Sequence, residues 1–110
     1  MVTHMSEFTR ALITAAIQDR GPAWEATGTQ WQITTGPKTD KPSVWVTCEN
    51  THNLAQLTIW SSGEAELDLG HPTDDATTSI HYDLATHEDL ATRLGDLTDL
   101  LNRRPTASNP

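Results

Sequence analysis

The side chains able to do chemistry gather in the second half of the chain. Ser79 and His81 sit two residues apart, as do Glu66 and Asp68 upstream. If these two segments pair as strands, an imidazole, two carboxylates and a hydroxyl meet in a general-base arrangement. His71 with Asp74 and Asp75 forms a second cluster whose donors could hold a cation loosely, although Pro72 and paired aspartates also make an ordinary turn with solvated charges. The five histidines, His4, His52, His71, His81 and His87, show no i/i+4 or cysteine-paired ligand spacing, so no metal centre is expected. No glycine-rich phosphate loop follows a strand, and no cofactor is expected.

The elements that must position these groups lie around residues 43–69, where three runs alternate in polarity. In 43–49, Val44, Val46 and Cys48 share one side and Trp45, Thr47 and Glu49 the other. In 54–60, Ala55, Leu57 and Ile59 oppose Leu54, Gln56, Thr58 and Trp60. In 64–69, Ala65, Leu67 and Leu69 oppose Glu64, Glu66 and Asp68. A slip of one residue would expose every aliphatic chain, so the apolar sets must meet. A two-residue turn at Ser62-Gly63 would set Ile59 against Glu66. A three-residue loop, Ser61-Ser62-Gly63, sets Ile59 against Ala65 and Leu57 against Leu67, with Gly63 supplying the left-handed residue. By the same logic Val46 pairs with Leu57, and Val44 with Ile59, through the loop 50–53.

Flanking segments complete the set. Phe8, Ala11, Leu12, Ala15 and Ala16 recur at helical spacing over 6–20, with Ser6 as N-cap and Gly21-Pro22 as the stop. Residues 23–30, with Trp24, read as a loop into a first strand at 31–35, where Trp31 and Ile33 face the core. Residues 36–42 and 70–76 read as loops. Residues 77–83 alternate again, Ile80 and Tyr82 inward and Ser79, His81 and Asp83 outward. Pairing Leu67 with Ile80 brings His81 across from Glu66 and Ser79 across from Asp68. A last helix begins at the N-cap Thr86, carries Glu88 and Asp89 in its first turn, and presents Leu90, Leu94, Leu97, Leu100 and Leu101, with Arg103-Arg104 at its end.

The expected fold is therefore α+β: a five-stranded antiparallel meander with an N-terminal and a C-terminal helix packed on one face, in the order α-β-β-β-β-β-α. With 110 residues the chain suits one domain, 1–105, followed by a loose tail, 106–110. Its one cysteine, Cys48, cannot form an internal disulfide and reads as a small core residue. With no signal-like apolar core and no run long enough for a bilayer, a cytoplasmic protein without membrane contact is expected.

Charge narrows the partners. The net charge is −8, and no Lys or Arg falls between Lys41 and Arg93, an interval that holds Glu49, Glu64, Glu66, Asp68, Asp74, Asp75, Asp83, Glu88 and Asp89. Such a field disfavours nucleic acid and would steer a basic protein, while also serving as a solvated face that keeps the chain soluble. If both helices cover the aliphatic side, Trp45, Thr58, Trp60, Glu64, Glu66, Asp68 and His81 form one outer surface, and indoles beside carboxylates suit a protein partner. The competing reading makes the indoles cross-strand packing residues, covered by a loop such as 23–30. On an open sheet, nothing supplies a pocket, an oxyanion hole or water exclusion for His81, so the chain reads as a binding protein and not an enzyme.

The stretch WVTCENTHNLAQLTIWSSGEAELDL, with Trp31, Trp45, Trp60 and the Ser-Gly-Glu-Ala-Glu turn and strand, followed by a Leu-rich helix, resembles the small immunity proteins of actinobacterial polymorphic toxin systems, in particular the TriTu-type family, over about residues 31–101. That resemblance implies a cytoplasmic inhibitor that binds and neutralises a cognate secreted toxin, whose active domain would be basic if it acts on nucleic acid. A secretion chaperone, or another protein-binding module that holds an effector segment, is the alternative, and either a monomer or a homodimer is compatible with the sequence.

Overall fold

The structure, a computed structural model, describes residues 9–36, 42–71 and 74–102, with the backbone alone for 71 and 74–77. Its order is α1 (Arg10–Ala26), β1 (Gln30–Thr35), β2 (Ser43–Glu49), β3 (Leu54–Trp60), β4 (Glu64–His71), β5 (Asp74–Asp83) and α2 (His87–Leu101). The strands form one antiparallel sheet in sequential order, with β1 and β5 at its edges.

The register follows from keeping aliphatic chains together. Val46 faces Leu57, Val44 faces Ile59, Ile59 faces Ala65, and Leu57 faces Leu67, which faces Ile80. The loop Ser61-Ser62-Gly63 closes with the Gly63 N–H donating to the Trp60 carbonyl at 2.9 Å and Gly63 at φ 98°. Both helices lie on the aliphatic side: Ile13, Ile17 and Trp24 of α1 and Leu90, Leu94, Leu97 and Leu101 of α2 are buried against Val44, Val46, Cys48, Leu57, Ile59 and Leu67. Each such side chain, fully withdrawn from water, stabilises by about 1.5–3 kcal/mol. Trp31 and Ile33 pack partly buried at the margin of this core, on the side expected of them.

Helix α1 departs from the sequence reading at both ends and in its buried face. It starts at Thr9, whose hydroxyl accepts the Leu12 N–H, and it runs through Gly21-Pro22 to Ala26. The expected cap Ser6 and the apolar Phe8 lie outside the described residues. Its buried set is Ile13, Ile17, Gly21 and Trp24, whereas Ala11 and Ala15 are exposed. Gly21 is a packing residue, not a stop: a Cβ there would overlap the indole of Trp31. Pro22 removes a helix hydrogen bond at a cost of about 3 kcal/mol or more, and the burial of Trp24 two residues on works against that loss. Termination falls instead at Gly28, with φ 80°. There Thr29 N–H donates to the Trp24 carbonyl (2.9 Å) and Gly28 N–H to that of Glu25 (3.1 Å), the paired bonds of a Schellman motif.

The segment expected as a loop at 70–76 is mostly strand. β4 continues to His71 and β5 begins at Asp74, with a shift in register between Leu69 and His71. Ladder pairing here outweighs the poor strand preference of Gly and Asp. Helix α2 starts as expected, with a capping box in which Asp89 N–H donates to Thr86 Oγ1 (3.1 Å) and the Asp89 carboxylate accepts the Thr86 N–H (3.1 Å). Arg103 and Arg104 lie outside the described residues. No described helix is long and apolar enough to cross a membrane.

Candidate protein-binding face

Because both helices occupy the aliphatic side, the other side of the sheet carries no packed element among the described residues. Its side chains fall into rows set by the register. One row runs Thr34, Trp45, Thr58, Glu66, His81, and the next runs Gln32, Thr47, Gln56, Asp68, Ser79. Trp60 faces Ser43 on one flank, and Glu64 faces Asp83. All seven residues singled out from the sequence therefore lie on one surface: Trp45, Thr58, Trp60, Glu64, Glu66, Asp68 and His81. The strands carry carboxylates on this side at Glu49, Glu64, Glu66, Asp68 and Asp83, and contain no Lys or Arg.

The two indoles are partly buried, not fully exposed. Trp45 owes this in part to Gly36, where a Cβ would come within 3.3 Å of its Cζ3. The segment 23–30, considered as a cover for this face, instead forms the last turn of α1, its C-terminal cap and the first residue of β1, with Trp24 in the core on the opposite side of the sheet. Neither indole N–H of Trp45 or Trp60 has a hydrogen-bond partner among the described residues, which leaves each as a directional donor toward a ligand.

The candidate general-base cluster is dismantled by its own hydrogen bonds. Ser79 Oγ donates to Asp68 Oδ1 at 2.6 Å, and His81 Nε2 lies 3.2 Å from Asp83 Oδ1, on its own strand. Imidazole and carboxylate of this pair are 56% and 82% exposed, so the contact has little energetic weight. Nothing joins Ser79 to His81 among the described residues. No group of three or more His, Cys, Asp or Glu with metal-holding geometry occurs among them either. The side chains of His71, Asp74 and Asp75 lie outside that description. Cys48 is buried, and desolvation pushes its thiol up to about 12, which suits a core residue and not a nucleophile.

Sequence reasoning places Leu54 and Gln56 on this side but leaves them and Gly70 out of the expected binding set. Leu54 is 37% exposed, the one large hydrophobic so exposed among the described residues, and it pairs with Gly70 on β4. Gln56 faces Asp68 beside them. The signal was present in the parity of β3, where Leu54 falls on the polar side of an otherwise clean alternation.

It also missed what the loop 50–53 does. Asn50 Nδ2 donates to the Leu101 carbonyl (2.7 Å), and Asn53 Nδ2 to those of Leu101 (2.9 Å) and Leu100 (3.2 Å). Asn50 Oδ1 meanwhile accepts the N–H groups of His52 and Asn53. The loop therefore caps the C-terminus of α2 and ties it to the β2–β3 hairpin.

Comparison with curated proteins and with solved structures finds no match to the chain. A family model described as immunity protein TriTu matches residues 12–100, a span that takes in every strand and nearly all of both helices, and the chain belongs to that family.

Proposed function

We propose that this immunity protein neutralises a cognate secreted toxin by laying the open sheet face, with Trp45, Trp60, Glu64, Glu66 and Asp68, on a basic surface of the toxin domain. One observation carries the reading: the side of the sheet left free by both helices unites two indoles with carboxylates, and the five strands contain no Lys or Arg. A field of one sign steers a basic partner into encounter, and partly buried indoles with open N–H donors supply the anchors that hold it. Family membership supports a protein partner and a role as an inhibitor that does not itself catalyse a reaction.

The test is co-expression with the toxin encoded beside it. Growth should be rescued by the wild-type chain, and the purified folded toxin domain should bind it with an association rate that falls as ionic strength rises. Rescue without direct binding would remove the proposal.

One feature favours a second reading, that of a chaperone or other binding module for an effector segment. β1, at the sheet edge, has the sequence QWQITT with no charged residue, and an uncharged edge can accept an added strand. Under that reading the chain binds an extended N-terminal segment of the effector and leaves the effector's activity intact.

A further inference from the structure

The outer face is not flat: between β3 and β4 it holds an open depression of about 230 Å³, lined by Thr47, Leu54, Gln56, Asp68, Leu69 and Gly70. We propose that this depression is an anchor pocket for one arginine side chain of the bound partner, and this rests on the outer face being the partner-binding face.

The volume is ample for a single flat group, since roughly 150 Å³ already admits a benzene ring. The lining has two chemistries. Leu54 provides an exposed apolar wall, and Gly70, paired with it across the strands, has no side chain to fill the space. Opposite that wall are two acceptors. Asp68 uses Oδ1 to accept Ser79 Oγ, and its Oδ2 has no partner among the described residues. Gln56 commits an amide N–H to Thr58 Oγ1 at 3.5 Å, and its carbonyl oxygen is left to accept. Gln56 and Asp68 are direct cross-strand partners, so their side chains rise side by side from Cβ atoms about 5 Å apart.

Two acceptors on neighbouring side chains beside an apolar wall match a guanidinium. Its planar fork presents donors to both at once, and its weakly hydrated faces lie against Leu54. A lysine ammonium is a compact, strongly hydrated point charge that makes less of the wall and of the second acceptor. An anionic or apolar occupant would leave Asp68 buried beneath it without a counter-charge. Glu49, across from Leu54 on β2, adds a second carboxylate at the rim.

The test has two arms. In the first, the full chain, isotopically labelled, is titrated by NMR with Nα-acetyl-arginine amide, with the lysine analogue, and with the uncharged isostere Nα-acetyl-citrulline amide. Shifts for arginine should be confined to residues 47, 54, 56 and 68–70, at least threefold tighter than for lysine, absent for citrulline, and lost in Asp68→Asn. Shifts spread over the acidic face, equal responses to arginine and lysine, or an unchanged response in Asp68→Asn would overturn the pocket.

In the second arm, the toxin domain is bound to Asp68→Asn and to Asp99→Asn, which makes the same charge change on an exposed position of α2. The pocket predicts at least tenfold weaker binding for the first and under threefold for the second. Equal effects would overturn it while toxin neutralisation stands. A wild-type chain that binds no toxin at all would instead sink the neutralisation reading, and the titration alone would then decide the pocket.

Discussion

The indole N–H of Trp24 donates to Thr98 Oγ1 at 2.9 Å, and that hydroxyl passes the bond on to the Leu94 carbonyl at 2.9 Å. A fully buried Trp thus locks the end of α1 to the last turn of α2, with its ring also edge-on to Trp31 at 5.6 Å between centroids. Arg20 reinforces the seam by donating to the Ala91 carbonyl at 3.2 Å. Holding both helices together over the aliphatic side is what keeps the other side free of them. Trp24→Ala should cost about 3–5 kcal/mol, and Thr98→Val about 1 kcal/mol, both read by chemical denaturation.

Gly21→Ala reverses the usual rule. In an exposed helix that change stabilises by about 1 kcal/mol. Here the added methyl runs into the Trp31 indole, itself held by a 2.9 Å bond from its N–H to Glu25 Oε2. Overpacking should therefore destabilise by about 1–3 kcal/mol. Combining it with Trp31→Leu, which clears the space, should make the glycine change close to neutral in the same melt.

The loop 50–53 should govern the end of α2. Asn53→Ala removes the side-chain donor to the Leu100 carbonyl and leaves that of Leu101 to Asn50, at a cost of about 1 kcal/mol. Hydrogen exchange should quicken in the last turn of α2 and leave its first turn unchanged.

Two groups among the described residues tie stability to pH. Backbone N–H bonds from Ala85 and Thr86 hold the Asp89 carboxyl below its ordinary value, so its contribution is complete above the unfolded aspartate range and is lost as pH falls through the lowered folded value. Asp89→Asn should flatten that acid limb. Cys48 acts at the other end: burial pushes its thiol from 9.0 up to about 12, so its contribution is complete below pH 9.0 and fades as pH rises toward 12. Cys48→Ala should remove that part of the alkaline loss, and the native thiol should resist a water-soluble disulfide reagent until the chain unfolds.

Much of the sheet was legible because a period of two leaves no freedom once one side is buried. Val44, Val46, Leu57, Ile59, Ala65 and Leu67 could meet in only one register, and the three-residue loop at Gly63 followed from it. The open face was legible for the same reason, as the remainder of that alternation. α1 was not, because Gly21-Pro22 is a stop by local preference, and only the distant Trp31 and Thr98 make it worthwhile to continue. Gly28, the residue that does end the helix, was visible as a glycine but lay beyond the stop assumed. The depression beside Leu54 depends on where side chains on three strands leave space, which periodicity does not encode.

Capture of the toxin by the helix-free side of the sheet can be measured on its own. The most direct measurement is the affinity of the toxin domain for the double variant Trp60→Ala, Glu66→Lys, with the melting temperature followed in parallel. Neither side chain is part of the buried core, so the variant should melt within a few degrees of wild type. Binding should weaken by about 100-fold, in line with roughly 3 kcal/mol for the loss of an aromatic anchor and the reversal of one charge. Unchanged affinity in a folded variant would contradict the account.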